Sequence, residues 1–440
     1  VTVRMKIISS YGVEVRNKDR NKIFLQTIDI YNKAVTFCIE SFEAEWEKLS
    51  ELEGKLRNNA GENLIHSTKG NKAKYKDFDR IFYKFPSYMR RSAVQEALGY
   101  LSSYYSNVKN WHKDGEKGRK PTLQKHLNKM PTFYKGNMYQ ETEEKNIVQL
   151  KLYIDNDWKF VDIKLKNTDL KYIEKHCKEE KMSVPVLEKR NKKWFLRFTF
   201  TKEVKLKKET KEKTILSIDM GINTDATCTV MKTDGTIFAR KFINYASNKD
   251  HMYHGLNKIK KISKKSGSCN TKRLWKEVKR ENEELSRKIA KAITEYAKEM
   301  KVDVIVFEYL DTKGNKTRFK KQKLHMWRKN TIQKIVENKA HKEEIRISRI
   351  CARNTSKLAY DGSGEVIRNV KNYKLCEFST GKIYNCDLSA SYNIGARYII
   401  REIKKTSSAK KWSHIVAKVP ECERRTQCTY ATLLEMVKVA

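Results

Sequence analysis

Apolar residues recur every three or four positions from about Lys22 to Leu52, at Leu25, Ile28, Tyr31, Ala34, Phe37, Ile39 and Phe42. That spacing predicts a helix. A second helical pattern spans roughly Ser87 to Lys113, with Ala93, Leu98, Leu101, Tyr104 and Val108 on one side. The polar stretch between them, 53–80, reads as a loop or a segment ordered by a partner, and DGEKGRKP at 114–121 reads as a basic turn. Across 130–205 the pattern changes to short strands such as IVQLKLYI and KKWFLRFTF, separated by polar turns, which predicts a β-rich module. A third region opens at Thr214 with the apolar strand TILSIDMG and a strand pair, ATCTVMK and TIFARKF. A long helix follows from about Lys272 to Met300 with Leu274, Val278, Leu285, Ile289 and Ile293 on its apolar side; 246–300 fits either two antiparallel helices or one bent helix. VDVIVFEYL, at 302–310, suits a strand buried on both faces. A helix over 324–343 then precedes the strand IRISRI. Strand and helix alternating in this order indicate an α/β layer with some parallel pairing.

Composition narrows the function. The chain has 440 residues, and 94 Lys and Arg against 53 Asp and Glu leave a net charge of +41. A surplus of that size spread along the whole chain points to a polyanionic partner, and nucleic acid supplies one phosphate per nucleotide. Hydrophobic residues, at 39%, suffice for packed cores and exclude a disordered basic tail. No apolar run approaches the ~18–20 residues that span a bilayer. The opening VTVRMKIISS lacks the apolar core of a secretory signal, so a cytoplasmic location and no membrane partner are expected. The nine cysteines are irregularly spaced and form no Cys-x-x-Cys pair, which argues against a disulfide framework.

Three acids stand apart from the surface carboxylates. Asp219 ends an apolar strand, Glu308 lies in another, and Asp387 precedes the small-residue helix LSASYNIGARYII. One acid at a strand end is commonly a cap or turn residue. Three of them, brought to one end of a sheet, would form a cluster that needs a cation such as Mg²⁺. Two such ions about 3.5–4 Å apart activate water and stabilise a leaving oxygen in phosphodiester hydrolysis. Arg90, Arg91, Lys117, Arg119 and Lys120 are candidates to line a nucleic-acid groove, and Arg397 to reach a scissile phosphate or to form a salt bridge. Most of Trp111, Trp158, Trp194 and Trp327 read as core residues rather than stacking platforms.

The succession IDMGINTDAT, VIVFEYL, NTSKLA and NCDLSASYNIGARY resembles the split RuvC-like nuclease of transposon-encoded TnpB proteins and of the related miniature type V CRISPR effectors. The resemblance covers most of the chain. It implies a multidomain α+β protein: a wedge-type β-barrel with a helical recognition insertion, followed by a split RuvC-like, ribonuclease-H-fold α/β nuclease. The expected order is wedge at 1–20 and 122–210, recognition helices at 21–121, and nuclease at 211–350 with a helical insertion at 246–300. An insertion resembling a degenerate zinc ribbon follows at 351–386, then the third nuclease segment at 387–400 and a basic tail, helical in part, at 401–440. By carry-over, Asp219, Glu308 and Asp387 are the catalytic and metal-binding residues, with Mg²⁺ or Mn²⁺ as cofactor. A guide RNA and target double-stranded DNA are the implied partners, with one protein copy per RNA. The chain departs from the family at the ribbon, where Ala359 and Gly362 stand in for the first cysteine pair and Ser379 for the partner of Cys376. Structural zinc needs four ligands and is not expected; packing and turns at Asp361-Gly362 and Ser363-Gly364 would hold the loop instead. The activity implied is RNA-guided DNA cleavage next to a short recognised motif. The alternatives are an RNA-guided DNA-binding repressor that does not cut and a ribonuclease-H-fold transposase that acts without RNA.

Overall fold

The computed structural model of the protein describes residues 4–17, 19–206, 212–266, 271–309, 328–369 and 372–439. They fall into two compact units, Ile8–Lys202 and Glu203–Ala440 with Val1–Ile7. Among the described residues no helix is long and apolar enough to cross a membrane.

The first unit takes in most of β1 (Arg4–Glu14), then α1 (Asn21–Glu43), α2 (Trp46–Glu51), α3 (Gly54–Ile65), α4 (Asp77–Ile81) and α5 (Ser87–Lys113). After them come β2 (Tyr139–Glu141), β3 (Ile147–Ile154), β4 (Asp157–Lys164), α6 (Asn167–Cys177), β5 (Lys181–Met182), β6 (Val186–Arg190) and most of β7 (Lys193–Lys205). The apolar stripes of α1 and α5 meet: Phe24, Tyr31, Phe42, Met89 and Leu101 are fully buried. The polar 53–80 stretch, read as a loop, folds as α3 and α4. Ile65 and Phe78 anchor these two helices in the core, and α3 lies so close to its neighbours that a Cβ on Gly61 would meet Val94, Leu98 and Phe42 at 3.1–3.3 Å. Trp158 and Trp194 are core residues, as expected, whereas Trp327 lies outside the described residues.

The expected closed barrel is not formed by the described residues. They make two separate sheets, β1-β7-β5 with β6 on β7, and β2-β3-β4. Barrel closure needs a continuous hydrogen-bonded ladder around the ring. Here the backbone link between the sheets is the bridge Val15↔Leu165, with bonds from Arg16 N to Lys164 O at 2.8 Å and from Lys166 N to Glu14 O at 2.9 Å, and no ladder continues from it.

The second unit is built on one five-stranded sheet. Its strands are β8 (Thr214–Asp219), β9 (Ala226–Lys232), β10 (Ile237–Ile243), β11 (Val304–Tyr309) and β12 (Arg346–Cys351), in the order β10-β9-β8-β11-β12. β8, β9 and β10 pair antiparallel, and β8, β11 and β12 pair parallel. The central strands β8 and β11 are covered on both faces, which is why they are almost wholly apolar up to their acids. One face packs Leu216, Ile218, Ile305 and Phe307 against α8 (Lys272–Glu299) and α9 (Lys329–Lys342). The 246–300 region is thus two helices, α7 (Ala246–Ser266) and α8, with 267–270 outside the described residues. The end of the predicted VDVIVFEYL strand at 310 and the start of the predicted helix at 324–327 also lie outside them.

The other face packs Ile215, Val304 and Val306 against α10 (Cys386–Thr406), α11 (Ala409–Lys418) and α12 (Tyr430–Val439). Residues 401–439 are largely helical and pack onto the sheet. α10 runs through 400 without a break, and Ile415, Val419, Leu433 and Met436 fold back into the core. The strands β13 (Ile367–Arg368), β14 (Leu375–Glu377) and β15 (Ile383–Asn385) make a small antiparallel sheet at the start of α10. The predicted turns are present, with Gly362 at φ +81° and Gly364 at φ +113°, where a side chain would be strained.

Candidate active site

Parallel pairing places the first two acids side by side. The β8–β11 register pairs Ile218 with Phe307, so Asp219 and Glu308 are the next residues of adjacent strands. The apolar runs before them lock that register, because a one-residue slip would turn both carboxylates to the other face. The third acid arrives on a helix. Asn385 caps α10 by accepting from Leu388 N at 2.9 Å, which sets Asp387 in the first turn, where the helix dipole favours a carboxylate. α10 lies tightly on the sheet: a Cβ on Gly395 would meet Met231 at 2.5 Å and Ser217 at 3.1 Å. A side chain there would require Met231 to shift.

The electrostatics report the convergence. Burial pushes the Asp219 carboxyl well above the usual range, and the negative charges of Glu308 and Asp387 push it further. Glu308 is raised by burial too, opposed by a hydrogen bond from the Thr355 hydroxyl and by the charges of Lys329 and Arg397. Lys329, at the start of α9 and 5% exposed, faces both acids; burial lowers its ammonium to about 8 while Glu308 and Asp219 act to raise it. Gln333, one turn along α9, donates to the Glu308 carbonyl at 3.2 Å. Thr355 is held from behind by Asn393 of α10, whose amide donates to the carbonyls of Thr355 (3.0 Å) and Leu358 (2.9 Å).

Three hard oxygen donors with excess negative charge, and no thiolate or imidazole among them, fit Mg²⁺ or Mn²⁺. The carboxylates are close enough to repel one another. They do not close around a common point: among the described residues no three His, Cys, Asp or Glu side chains are set to hold an ion.

The basic candidates separate. Arg397 is 5% exposed and donates to four carbonyls, those of Cys428 (3.0 Å), Cys351 (3.0 Å), Arg353 (2.6 Å) and Thr426 (3.0 Å). It thus neither reaches a phosphate nor forms a salt bridge; it ties α10 to the loops around it. Arg90 is buried as well, with two guanidinium nitrogens 3.1 Å from Glu62. That removes it from the expected groove. Arg91 shares Glu62 at 3.2 Å but is half exposed, and Lys117, Arg119 and Lys120 are exposed, with Lys120 5.8 Å from the Trp111 ring centroid. Sequence reading missed Lys329, Gln333 and Asn393. Asn393 had a signal, as an amide within the apolar face of α10.

The ribbon-like module has an apolar centre. Ala359, Cys376, Phe378 and Cys386 pack together under Tyr360 and Tyr384. Burial and the neighbouring Cys386 push the Cys376 thiol up to about 12, so it stays protonated.

Comparison with known proteins agrees with this architecture. Residues 8–154 match the model of the Aq_aa04 family. The chain is 26% identical over 227 residues to the TnpB-like protein aq_aa05 of Aquifex aeolicus (strain VF5), covering 47% of this chain and 74% of that protein. It is 26% identical over 162 residues to the uncharacterized protein aq_aa04 of the same organism, covering 34% of this chain and 89% of that one. Among solved structures it resembles Cas12f1 in its complex with sgRNA and target DNA (TM-score 0.51, 14% identity, 85% of this chain and 81% of that one). It also resembles the mini-RNA-guided endonuclease CRISPR-Cas_phi3 (TM-score 0.50, 9% identity, 90% and 92%). The chain is thus similar in sequence to a TnpB-like protein, and its fold resembles those of Cas12f1 and CRISPR-Cas_phi3.

Proposed function

We propose that this protein is an RNA-guided DNA endonuclease that cuts target DNA beside a short recognised motif. The observation that carries the reading is the meeting of Asp219, Glu308 and Asp387 at one end of the β8–β11 pair in a chain of net charge +41. The antiparallel-then-parallel strand order supports a ribonuclease-H-like, RuvC-type nuclease, and the similarity to Cas12f1 supports guidance by RNA. Base pairing with the guide would select the target, while the protein holds the heteroduplex by shape and backbone charge and reads the adjacent motif.

Asp219, Glu308 and Asp387 would hold the divalent ions, which when bound supply an activated water and charge neutralisation at the phosphodiester. The chain's own residues prepare that site. Thr355 and Gln333 fix Glu308 by its carboxylate and its carbonyl, Asn393 fixes Thr355, and Lys329 offsets the negative charge. Exposed Arg91, Lys117, Arg119 and Lys120 would contact the nucleic-acid backbone. The decayed repressor is disfavoured because all three acids are present and grouped.

Expression with the native flanking DNA, followed by sequencing of the RNA that stays bound, tests the guidance. A discrete RNA with one constant and one variable end is expected. Random cellular RNA, or none, would contradict guidance and favour the RNA-independent transposase.

A further inference from the structure

Beside the acids lies a cleft of about 610 Å³ that the proposed chemistry does not use. The Asp219 segment continues into its wall, and residues beside the other two acids reach it. Asn223 lines it four residues after Asp219; Arg328 lines it next to Lys329; and the lining residue Lys374 accepts through its carbonyl from Cys386 N, the residue before Asp387, at 2.9 Å. The floor is apolar and buried, made by Met252 of α7, Leu285 and Ile289 of α8, and Ile332 of α9. Asn282, 7% exposed, interrupts that floor with an amide, and the ring of Tyr253 stands at the rim, 56% exposed.

The lining separates into an apolar interior and a cationic mouth. Lys249 is committed to the protein: its ammonium binds the Asn223 carbonyl and the Asn244 amide oxygen, each at 2.6 Å, and Asp225 at 3.3 Å. It stiffens the loop after Asp219. Arg328 and Lys374 remain at the edge nearest the acids, Arg328 with one nitrogen 3.2 Å from Glu283. A phosphate suits those two cations and gains nothing from the floor. A flat ring with polar edges suits the floor, Asn282 and Tyr253 together. The volume is that of a small-ligand site, roughly 300–1,000 Å³, which admits one nucleoside and excludes a duplex.

We propose that this cleft takes one unstacked nucleobase of a single strand whose neighbouring phosphate lies at the acid cluster. The strand's identity as the one being cut rests on the nuclease reading. The base site itself rests on the cleft. It fixes the register of the strand, so that the phosphate beside the seated base is the one presented to Asp219, Glu308 and Asp387.

The test uses the full chain with its co-purified RNA and a single-stranded oligodeoxynucleotide carrying one 4-thiothymidine, irradiated and mapped by peptide mass spectrometry. Cross-links are expected on the 246–256 and 282–289 segments. Ala246, exposed at the first position of α7, lines the cleft. The Ala246→Trp plug should cut those cross-links about tenfold, in line with loss of a stacked base, with little change in total oligonucleotide bound. Tyr253→Ala, at a surface position, should reduce them in the same direction. Cross-links confined to other segments, or unchanged in both variants, would overturn the proposal. Cutting in Mg²⁺ is scored separately on the same strand. Cutting without these cross-links overturns the base site and leaves the nuclease standing; these cross-links without cutting do the reverse.

Discussion

At the scale of single residues, the site is a place where charge is held against its own repulsion. Asp219 and Glu308 have carboxyls raised by burial, and in Asp219 also by neighbouring acids. A carboxyl raised on folding binds protons more readily in the folded chain than in the unfolded one. Its stability contribution is present in full below the unfolded value near 4 and is lost as pH rises through the folded value. At neutral pH without divalent ions these acids therefore destabilise the unit. Asp219→Asn should raise the melting temperature in chelator by about 2–4 °C if ~1 kcal/mol is recovered, and the gain over wild type should shrink as pH is lowered. A melting temperature lower than wild type across that range would contradict the reading.

Arg397 behaves oppositely, as a buried cation satisfied by four carbonyls. Arg397→Met leaves those acceptors unpaired and should cost about 3 kcal/mol, measured by urea unfolding; a loss below ~1 kcal/mol would show that they find other donors. The acids were legible in the sequence because an acid ending an apolar strand is conspicuous. Arg397 and Arg90 were not. Their partners lie 28–46 residues away, and nothing local marks an arginine as turned inward.

At the scale of elements, periodicity carried most of what could be read. α1, α5 and α8 follow their apolar stripes, and β8 and β11 follow their continuous apolar runs. α3 and α4 escaped because a few anchors, Gly61, Ile65 and Phe78, hold them within largely polar sequence. The C-terminal stretch was legible as basic and helical in part, but not its packing: Ile415, Val419, Leu433 and Met436 reach a core built from distant strands. The ribbon-like module was readable as an absence of ligands but not as a presence of packing. Phe378, 2% exposed against Tyr360 and Tyr384, fills its centre. Phe378→Ala should destabilise the second unit by about 3–5 kcal/mol, while a zinc chelator should leave its melting unchanged. A melting transition that falls on chelation and returns with added zinc would refute this account of the module.

At the scale of the whole molecule, charge and fold address different questions. The excess of 41 positive charges points to a polyanionic partner and says nothing about chemistry. The three acids say what chemistry is available and nothing about how a target is chosen. The proposed function links the two: a bound RNA would select the DNA presented to the acids. The expected wedge barrel shows the limit of reading topology from a sequence: alternating strands were recognised, but whether they close into one ring depends on ladder contacts that no local pattern encodes.

The most direct test of the central claim is cleavage of DNA by the protein with its co-purified RNA. Linear DNA carrying the complement of the variable RNA end, flanked by randomised sequence, is incubated with Mg²⁺ and its ends are sequenced. The account predicts cuts at a fixed place beside a short enriched motif, with none in chelator. Asp219→Asn should give no cuts while holding the same DNA. Cutting that ignores the RNA, or that persists undiminished in Asp219→Asn, would contradict it.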